Sequence, residues 1–278
     1  MGTLFLVGTP IGNLDDITLR AVEVLGRVAC VAAEDTRRTR ALLAHLDVRN
    51  KQLFSLDAHA SQKAIATLVG RLGAGEDVAL VTDAGMPGIS DPGAQMVQAA
   101  VAADLPVVVV PGASAVTAAV ALSGVVEAAF VFLGFLPRKG QKRRAALGRV
   151  AGTTEAVVLF EAPGRTSETL RDLAELMPER AAVVCREMTK LHEEAARGTL
   201  AMLAQRDDWR GEVVIVLGPS PSADEERAPE FETQRAEIVA RLSAGGHVRT
   251  VAAELAALWG LPRRDVYALV QRIKNSER

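Results

Sequence analysis

The chain has little of what marks the commonest special chemistries. It holds two cysteines, Cys30 and Cys185, both inside apolar strand-like runs. They read as buried thiols, which excludes a disulfide scaffold and fits a reducing compartment. The histidines, His45, His59, His192 and His247, are scattered, and no Cys/His spacing matches a zinc site. Neither G-x-G-x-x-G nor G-x-x-x-x-G-K-[ST] occurs, so a dinucleotide fingerprint is absent and ATP or GTP chemistry is not expected. No G-x-S-x-G elbow or cysteine-centred nucleophile motif stands out. No apolar stretch approaches the roughly 20 residues that span a bilayer. The start, MGTLFLVGTPIG, lacks the basic region and long apolar run of a signal peptide, so a cytosolic protein is expected. A net charge of -2 leaves any nucleic-acid contact to local basic patches.

What is present is an ordinary globular composition, 49% hydrophobic and 24% charged over 278 residues. That length suits two domains and a small third. Apolar strand-like runs alternate with amphipathic helices, the pattern of α/β layers. Strands are expected at 4–7, 28–33, 52–56, 78–82, 107–110, 130–133, 156–160, 182–186 and 212–217. The main break falls near Ser114–Val126. We expect an N-terminal α/β domain over 1–116, a second over 117–219 and a polar, proline-bearing linker over 220–230. A helical tail follows over 231–278. There Ala256, Gly260 and Val266 have the spacing of a helix-turn-helix.

Two proline-glycine loops carry the strongest functional signal. TDAGMPGISDPG follows one strand expected to be buried, and PGASAVTAA follows another. Small residues at Ala84, Gly85 and Gly88 let a ligand approach the backbone. Flanking prolines stiffen the loop and lower the entropy lost on binding. Asp83 is placed to accept hydrogen bonds from a ligand, and Asp91 with Pro92 reads as a helix start. An earlier loop, Gly8 to Leu14, reads as a turn capped by Asn13 or Asp15. Loops of this kind at strand carboxyl ends line the ligand crevice of open α/β proteins. Acid–base clusters recur at other strand ends: Glu34-Asp35-Thr36-Arg37-Arg38-Thr39-Arg40, Glu161-Ala162-Pro163-Gly164-Arg165 and Arg186-Glu187-Met188-Thr189-Lys190. Arg138, Lys139, Lys142, Arg143, Arg144 and Arg149 form a basic run without an acid, fit to neutralise phosphates. No aromatic interleaves it, so base-specific reading there is not expected.

Taken in order, LFLVGTPIGNLDDITLRAVEVL, AAEDTRRTRALL, TDAGMPGISDPG, VPGASAVTAA, FLGFLPRKG, FEAPGRTSETL, REMTKLHEE and GEVVIVLG closely resemble the ribosomal RNA small subunit methyltransferase I family. That family is the RNA-acting branch of the tetrapyrrole methylase superfamily. The resemblance implies two α/β domains of the tetrapyrrole methylase type with a ligand cleft between them, plus a small helix-turn-helix-like C-terminal domain. It implies S-adenosyl-L-methionine as cofactor, a homodimer, and methylation of the ribose 2′-hydroxyl of a cytidine in the decoding region of 16S ribosomal RNA, with the 30S subunit as partner. By the superfamily pattern Pro10, Asp83, Ala84, Gly85, Met86, Ile89, Ser114, Ala115, Phe160, Glu161 and Gly198 would contact the cofactor. Under this reading Glu34, Asp35 and Glu187 are candidate general bases. Arg37, Arg40, Arg186 and Lys190 join the basic run as candidate RNA contacts, with Arg263 and Arg264 of the tail, itself a candidate RNA-binding domain. Two alternatives stay open. A tetrapyrrole C-methyltransferase would share fold and cofactor. A helix-turn-helix nucleic-acid-binding regulator would use the body as a ligand sensor.

Overall fold

A computed structural model of the protein describes residues 1–56, 62–89, 93–220 and 223–276, and for 223–232 the backbone alone. The expected helix start at Asp91 and Pro92 lies outside the described residues. The first half runs β1 (Leu4–Val7), a 3-10 turn (Leu14–Asp16), α1 (Leu19–Arg27), β2 (Cys30–Ala33), α2 (Thr36–His45), β3 (Gln52–Ser55), α3 (Gln62–Gly73), β4 (Val78–Val81), α4 (Gly93–Ala102) and β5 (Val107–Val110). Its strands form an all-parallel sheet in the order β3-β2-β4-β1-β5. Every residue of β1, β2 and β4 is buried, because helices cover both faces of a parallel sheet. Alternate side chains serve the two faces. Leu4, Leu6, Val78 and Leu80 pack with Leu68, Leu72 and Met96, and Phe5, Val7, Ala79 and Val81 pack with Val24 and Leu25.

The four valines of β5 depart from expectation. β5 is an edge strand, bonded among the described residues to β1 alone, and Val108 and Val109 are 41% and 50% exposed. An unbroken apolar run marks a strand but does not say how many neighbours it has.

The second half runs α5 (Ala115–Ser123), β6 (Phe130–Phe135), α6 (Gly140–Ala151), β7 (Ala156–Glu161), α7 (Pro163–Leu176), β8 (Ala181–Arg186), β9 (Glu194–Thr199), α8 (Leu200–Leu203) and β10 (Val213–Leu217). The sheet order is β6-β7-β10-β8-β9, with β6 and β7 parallel and the remaining neighbours antiparallel. Strict strand–helix alternation therefore fails at β9, which folds straight back on β8. One face of this sheet packs Leu159, Val184 and Ile215 against Leu147, Leu170 and Leu173 of α6 and α7. The other face packs Val158, Val183, Val214 and Val216 against Val116 and Ala119 of α5, and takes in Ile11 from the loop after β1. This contact turns the strand ends of the two sheets toward each other.

Met1–Ser220, carrying both sheets, is one compact unit, and the rest of the chain is a second. The second unit contains α9 (Ala223–Ser243), α10 (Val248–Trp259) and α11 (Arg263–Ser276). Ile238, Val251, Leu255, Val266, Val270 and Ile273 form its core. Gly260 ends α10 in the left-handed conformation, φ 65°, which a glycine adopts without steric cost. The stretch read as a linker is helical from Ala223 onward; alanine and glutamate are strong helix formers. Among the described residues no helix is long and apolar enough to cross a membrane. Both cysteines are free and buried, and burial pushes each thiol up to about 11, which makes them inert packing groups.

Candidate active site

Three loops of the first sheet close on one another. Thr9 and Gly85 exchange backbone hydrogen bonds at 2.9 and 3.1 Å, and Thr9 Oγ1 donates to the Thr82 carbonyl at 3.1 Å. A Cβ on Gly8 would stand 2.7 Å from Gly112 Cα, so the loops after β1 and β5 touch only because both positions are glycine. Asn13 caps the 3-10 turn, its side chain accepting from the Asp15 amide at 3.1 Å. Its own amide donates to Thr189 Oγ1 at 2.9 Å, joining the first loop to the second sheet.

Between the facing strand ends lies a cavity of about 440 Å³, within the span usual for small-molecule sites. Its walls come from both halves. Ile11, Glu34, Arg38, Thr82, Asp83, Ala84 and Ile89 come from the first, and Ala115, Phe135, Phe160, Glu161, Met188, Glu212 and Val214 from the second. Of the expected cofactor contacts, Asp83, Ala84, Ile89, Ala115, Phe160 and Glu161 line it directly. Pro10, Gly85, Met86 and Ser114 sit in the same loops behind that wall; Ser114 caps α5 without a side-chain bond. Gly198 stands apart. It pairs with Ala182, toward the opposite end of the β8–β9 ladder from the Arg186–Glu194 pair. Ile11, Phe135 and Glu212 were not singled out from the sequence, and Arg38 and Met188 only as members of the acid–base clusters.

Glu34 and Asp83 leave adjacent parallel strands and meet at the cavity. Glu34 Oε2 accepts from Thr82 Oγ1 at 2.7 Å and from the Asp83 amide at 3.3 Å. Asp83 Oδ1 accepts from the Asp35 amide at 3.0 Å, and Arg38 Nε lies 3.6 Å from Asp83 Oδ2. Burial, and then the charge of Glu34, raise the Asp83 carboxyl above the usual aspartate range; the Asp35 amide and Arg38 pull it partly back. Asp35 itself caps α2 and pairs with Arg37. Hydrogen bonds from Arg37 hold its carboxyl down at about 2.

Across the cavity Glu187 is engaged through one carboxylate oxygen. Its Oε1 accepts from the Glu212 amide and from Lys190 Nζ, each at 2.9 Å. Those bonds hold its carboxyl below the usual range. A Cβ on Gly211 would fall 2.2 Å from that oxygen, so the carboxylate rests on bare backbone. Glu187 and Thr189 both take positive φ, 50° and 67°, strained for non-glycine residues and most of all for a β-branched one. Between them Met188 lines the cavity. Glu161 is buried and spent on both oxygens: Oε1 accepts from the Ala162 amide at 2.8 Å and from Arg165, Oε2 from Thr169 Oγ1 at 2.7 Å.

The basic candidates divide. Arg40, Arg138, Lys139, Lys142 and Arg144 are exposed, as are Arg263 and Arg264 in the second unit. Arg37 is exposed but bonded to Asp35. Arg143 departs from expectation. Its side chain is 7% exposed and binds Asp172 at 2.6 Å, Thr169 Oγ1 at 3.1 Å and the Pro137 carbonyl at 3.2 Å. It turns inward with Leu147 and Val150 on the buried face of α6, whose spacing follows the helical period. Arg186 is held by Glu194 at 2.5 Å, and Lys190 by Glu187 and Glu212. These two side chains brace the second wall. Among the described residues no cluster of acids, histidines or cysteines is arranged to hold a metal ion.

Residues 3–204 match the family model described as Tetrapyrrole (Corrin/Porphyrin) Methylases. The ribosomal RNA small subunit methyltransferase I of Micromonospora olivasterospora is 43% identical over 276 residues, 97% of this chain and 87% of that relative. The Thermotoga maritima protein of the same name is 44% identical over 220 residues, 78% of this chain and 98% of the relative. Among solved structures, diphthine synthase is similar with a TM-score of 0.62 at 18% identity, covering 78% of this chain and 90% of that one. Uroporphyrin-III C-methyl transferase from Thermus thermophilus, complexed with S-adenyl homocysteine, gives 0.57 at 18% identity, covering 78% and 97%. The two structures show the shared fold.

Proposed function

Because this chain belongs to the ribosomal RNA small subunit methyltransferase I group of the tetrapyrrole methylase family, we propose that it methylates the ribose 2′-hydroxyl of a cytidine in the decoding region of 16S ribosomal RNA. It is an S-adenosylmethionine-dependent methyltransferase. We place it in the cytoplasm as a homodimer, acting on RNA in the 30S subunit. The observation that supports this reading best is the cavity itself, apolar on its walls and rich in carboxylates. Ile11, Ile89, Ala115, Phe160 and Val214 offer apolar surface, while Glu34, Asp83, Glu161 and Glu212 outnumber the single cation Arg38. Glu161 and Glu212 are balanced by Arg165 and Lys190. Glu34 and Asp83 still leave the cavity negative beside Arg38, which suits a ligand carrying sulfonium and ammonium groups, so the residues fit S-adenosylmethionine. When bound, it supplies an electrophilic methyl group.

The protein's own work is positioning. Fixing donor and acceptor in reacting geometry is worth about 7–11 kcal/mol of barrier. Here the locked loops after β1, β4 and β5 form a rigid seat for one partner. The exposed charges of Arg138, Lys139, Lys142 and Arg144 offer phosphate contacts for the other. Relatives matched over nearly their whole length by 78% of this chain support placing the methyl-transfer site in Met1–Ser220, with the helical unit as an added RNA contact.

The test is direct. The protein is incubated with methyl-labelled S-adenosylmethionine and unmethylated 30S particles or naked 16S RNA, and the RNA is digested. Label in 2′-O-methylcytidine is expected. Cofactor binding without any RNA label would point instead to a small-molecule acceptor.

A further inference from the structure

We propose that Asp83 is the general base that accepts the ribose 2′-hydroxyl proton, with Glu34 tuning it from the neighbouring strand. The assignment rests on the reading above. It begins from what each carboxylate at the cavity is already doing. Asp35 and Glu187, which the strand-end position made candidates, are not among the residues that line the cavity. Asp35 has both oxygens bonded to Arg37, and Glu187 carries Lys190 and the Glu212 amide on one oxygen. Glu161 has both oxygens bonded and is 3% exposed. Glu212 is paired with Lys190 at 3.2 Å. Two carboxylates remain, Glu34 and Asp83, joined through the Asp83 amide.

Between these two, Asp83 has the environment of a base. Its Oδ1 is fixed by the Asp35 amide, and Oδ2 has no hydrogen bond among the described residues, with Arg38 at 3.6 Å. The groups facing it are Glu34, Asp35, Arg37 and Arg38 from the β2–α2 connection, and the cavity's far wall carries Glu161 and Glu212. Glu34 reaches the Asp83 backbone amide, and its charge disfavours ionisation of the Asp83 carboxyl. Burial acts in the same direction, so Asp83 is a stronger base than an exposed aspartate. Arg38 then fixes the carboxylate's orientation without forming a short pair that would quench it.

The step balances. The ribose 2′-oxygen forms its bond to the methyl carbon as the methyl–sulfur bond breaks, and the electron pair stays on sulfur, leaving a neutral thioether. The hydroxyl proton passes to Asp83 Oδ2 and later to water.

The test compares wild type, Asp83→Asn and Glu34→Gln by three measurements. These are methyl transfer to unmethylated 30S particles across pH, calorimetric binding of S-adenosylhomocysteine, and the Asp83 carboxyl titration followed by carbon-13 NMR in the free protein. Asparagine keeps the acceptor for the Asp35 amide, so Asp83→Asn is expected to fold and to lose far less S-adenosylhomocysteine affinity than turnover. Its turnover is expected to fall by about 10²–10⁴-fold, the usual worth of a general base. Glu34→Gln is expected to move both the acid limb of the rate profile and the Asp83 titration to lower pH. Turnover undiminished in Asp83→Asn overturns the assignment. So does a loss of S-adenosylhomocysteine affinity as large as the loss of turnover, which would make Asp83 a cofactor ligand. An Asp83 titration unmoved in Glu34→Gln removes the tuning role, whatever the fate of the first variant. Wild-type protein that labels no RNA overturns the parent reading, and the assignment with it.

Discussion

Two acid–base clusters that look alike in sequence face each other across the cavity, and they are built to opposite ends. Glu34-Asp35-Thr36-Arg37-Arg38 and Arg186-Glu187-Met188-Thr189-Lys190 both follow buried strands and both mix carboxylates with cations. In the second, every charge finds a partner within the wall: Glu187 with Lys190, Lys190 with Glu212, Arg186 with Glu194. In the first, Asp35 takes Arg37, and Asp83 beside Glu34 has Arg38 no closer than 3.6 Å. One cluster is a brace and the other stays under electrostatic tension. The difference comes from what the next strand supplies. β4 brings a second acid beside Glu34, whereas the chain before β10 brings an amide and Gly211 beneath Glu187.

The comparison can be broken most forcefully from the braced side. Lys190→Met leaves Glu187 and Glu212 without their common cation. It should cost about 1–3 kcal/mol in chemical denaturation, the usual range for an orphaned charged hydrogen bond, while turnover by folded protein stays near wild type. A turnover collapse at unchanged stability would move Lys190 into the chemistry. The pH dependence of stability sharpens the contrast, because the two acids are shifted in opposite directions. Glu187 is held below its ordinary range, so it contributes stability above the unfolded-state value, lost as pH falls through its folded value. Glu187→Gln should therefore be less stable than wild type at neutral pH, the gap closing in acid. Asp83 is raised, so its ionisation costs stability as pH rises through the folded value. Asp83→Asn should be the more stable protein at neutral pH, with that advantage also fading in acid. Thermal melts of both variants from neutral pH into the acid range check the two signs together. The smallest effect belongs to Arg38→Met. Removing the cation should push the Asp83 titration further up, visible by the same carbon-13 measurement, with little change in melting because the Arg38 side chain is 61% exposed.

These contrasts also mark how far the sequence could be read. The strands that build the cavity carry unbroken apolar runs, so β1, β4, β7 and β10 were legible, and with them the loops that seat a ligand. β9 was not, because Glu194-Ala195-Ala196-Arg197-Gly198-Thr199 has no β-branched run and is stabilised by pairing along a single neighbour. Gly198 was carried into the cofactor site by resemblance, and its place in that ladder is toward the end away from the cavity. Arg143 and Arg144 are indistinguishable as composition. The helical phase shared with Leu147 and Val150 separates them, and that signal was present in the chain. Arg38 stood in an acid–base cluster but was not told apart from its neighbouring arginines, and Glu212 had no such signal. Their roles follow from which strand ends the fold turns toward each other, which no local pattern encodes.

The left-handed conformations of Glu187 and Thr189, on either side of Met188, have a consequence for ligand traffic. Their strain is borne in the free protein, and the Asn13 amide, Lys190 and the Glu212 amide hold the segment in place. A wall secured before anything binds does not swing aside to admit a ligand. Among the large apolar lining residues, Phe135 and Ile89 reach solvent most, 54% and 41% exposed. The cavity thus has a hinge-free back and a greasy doorstep.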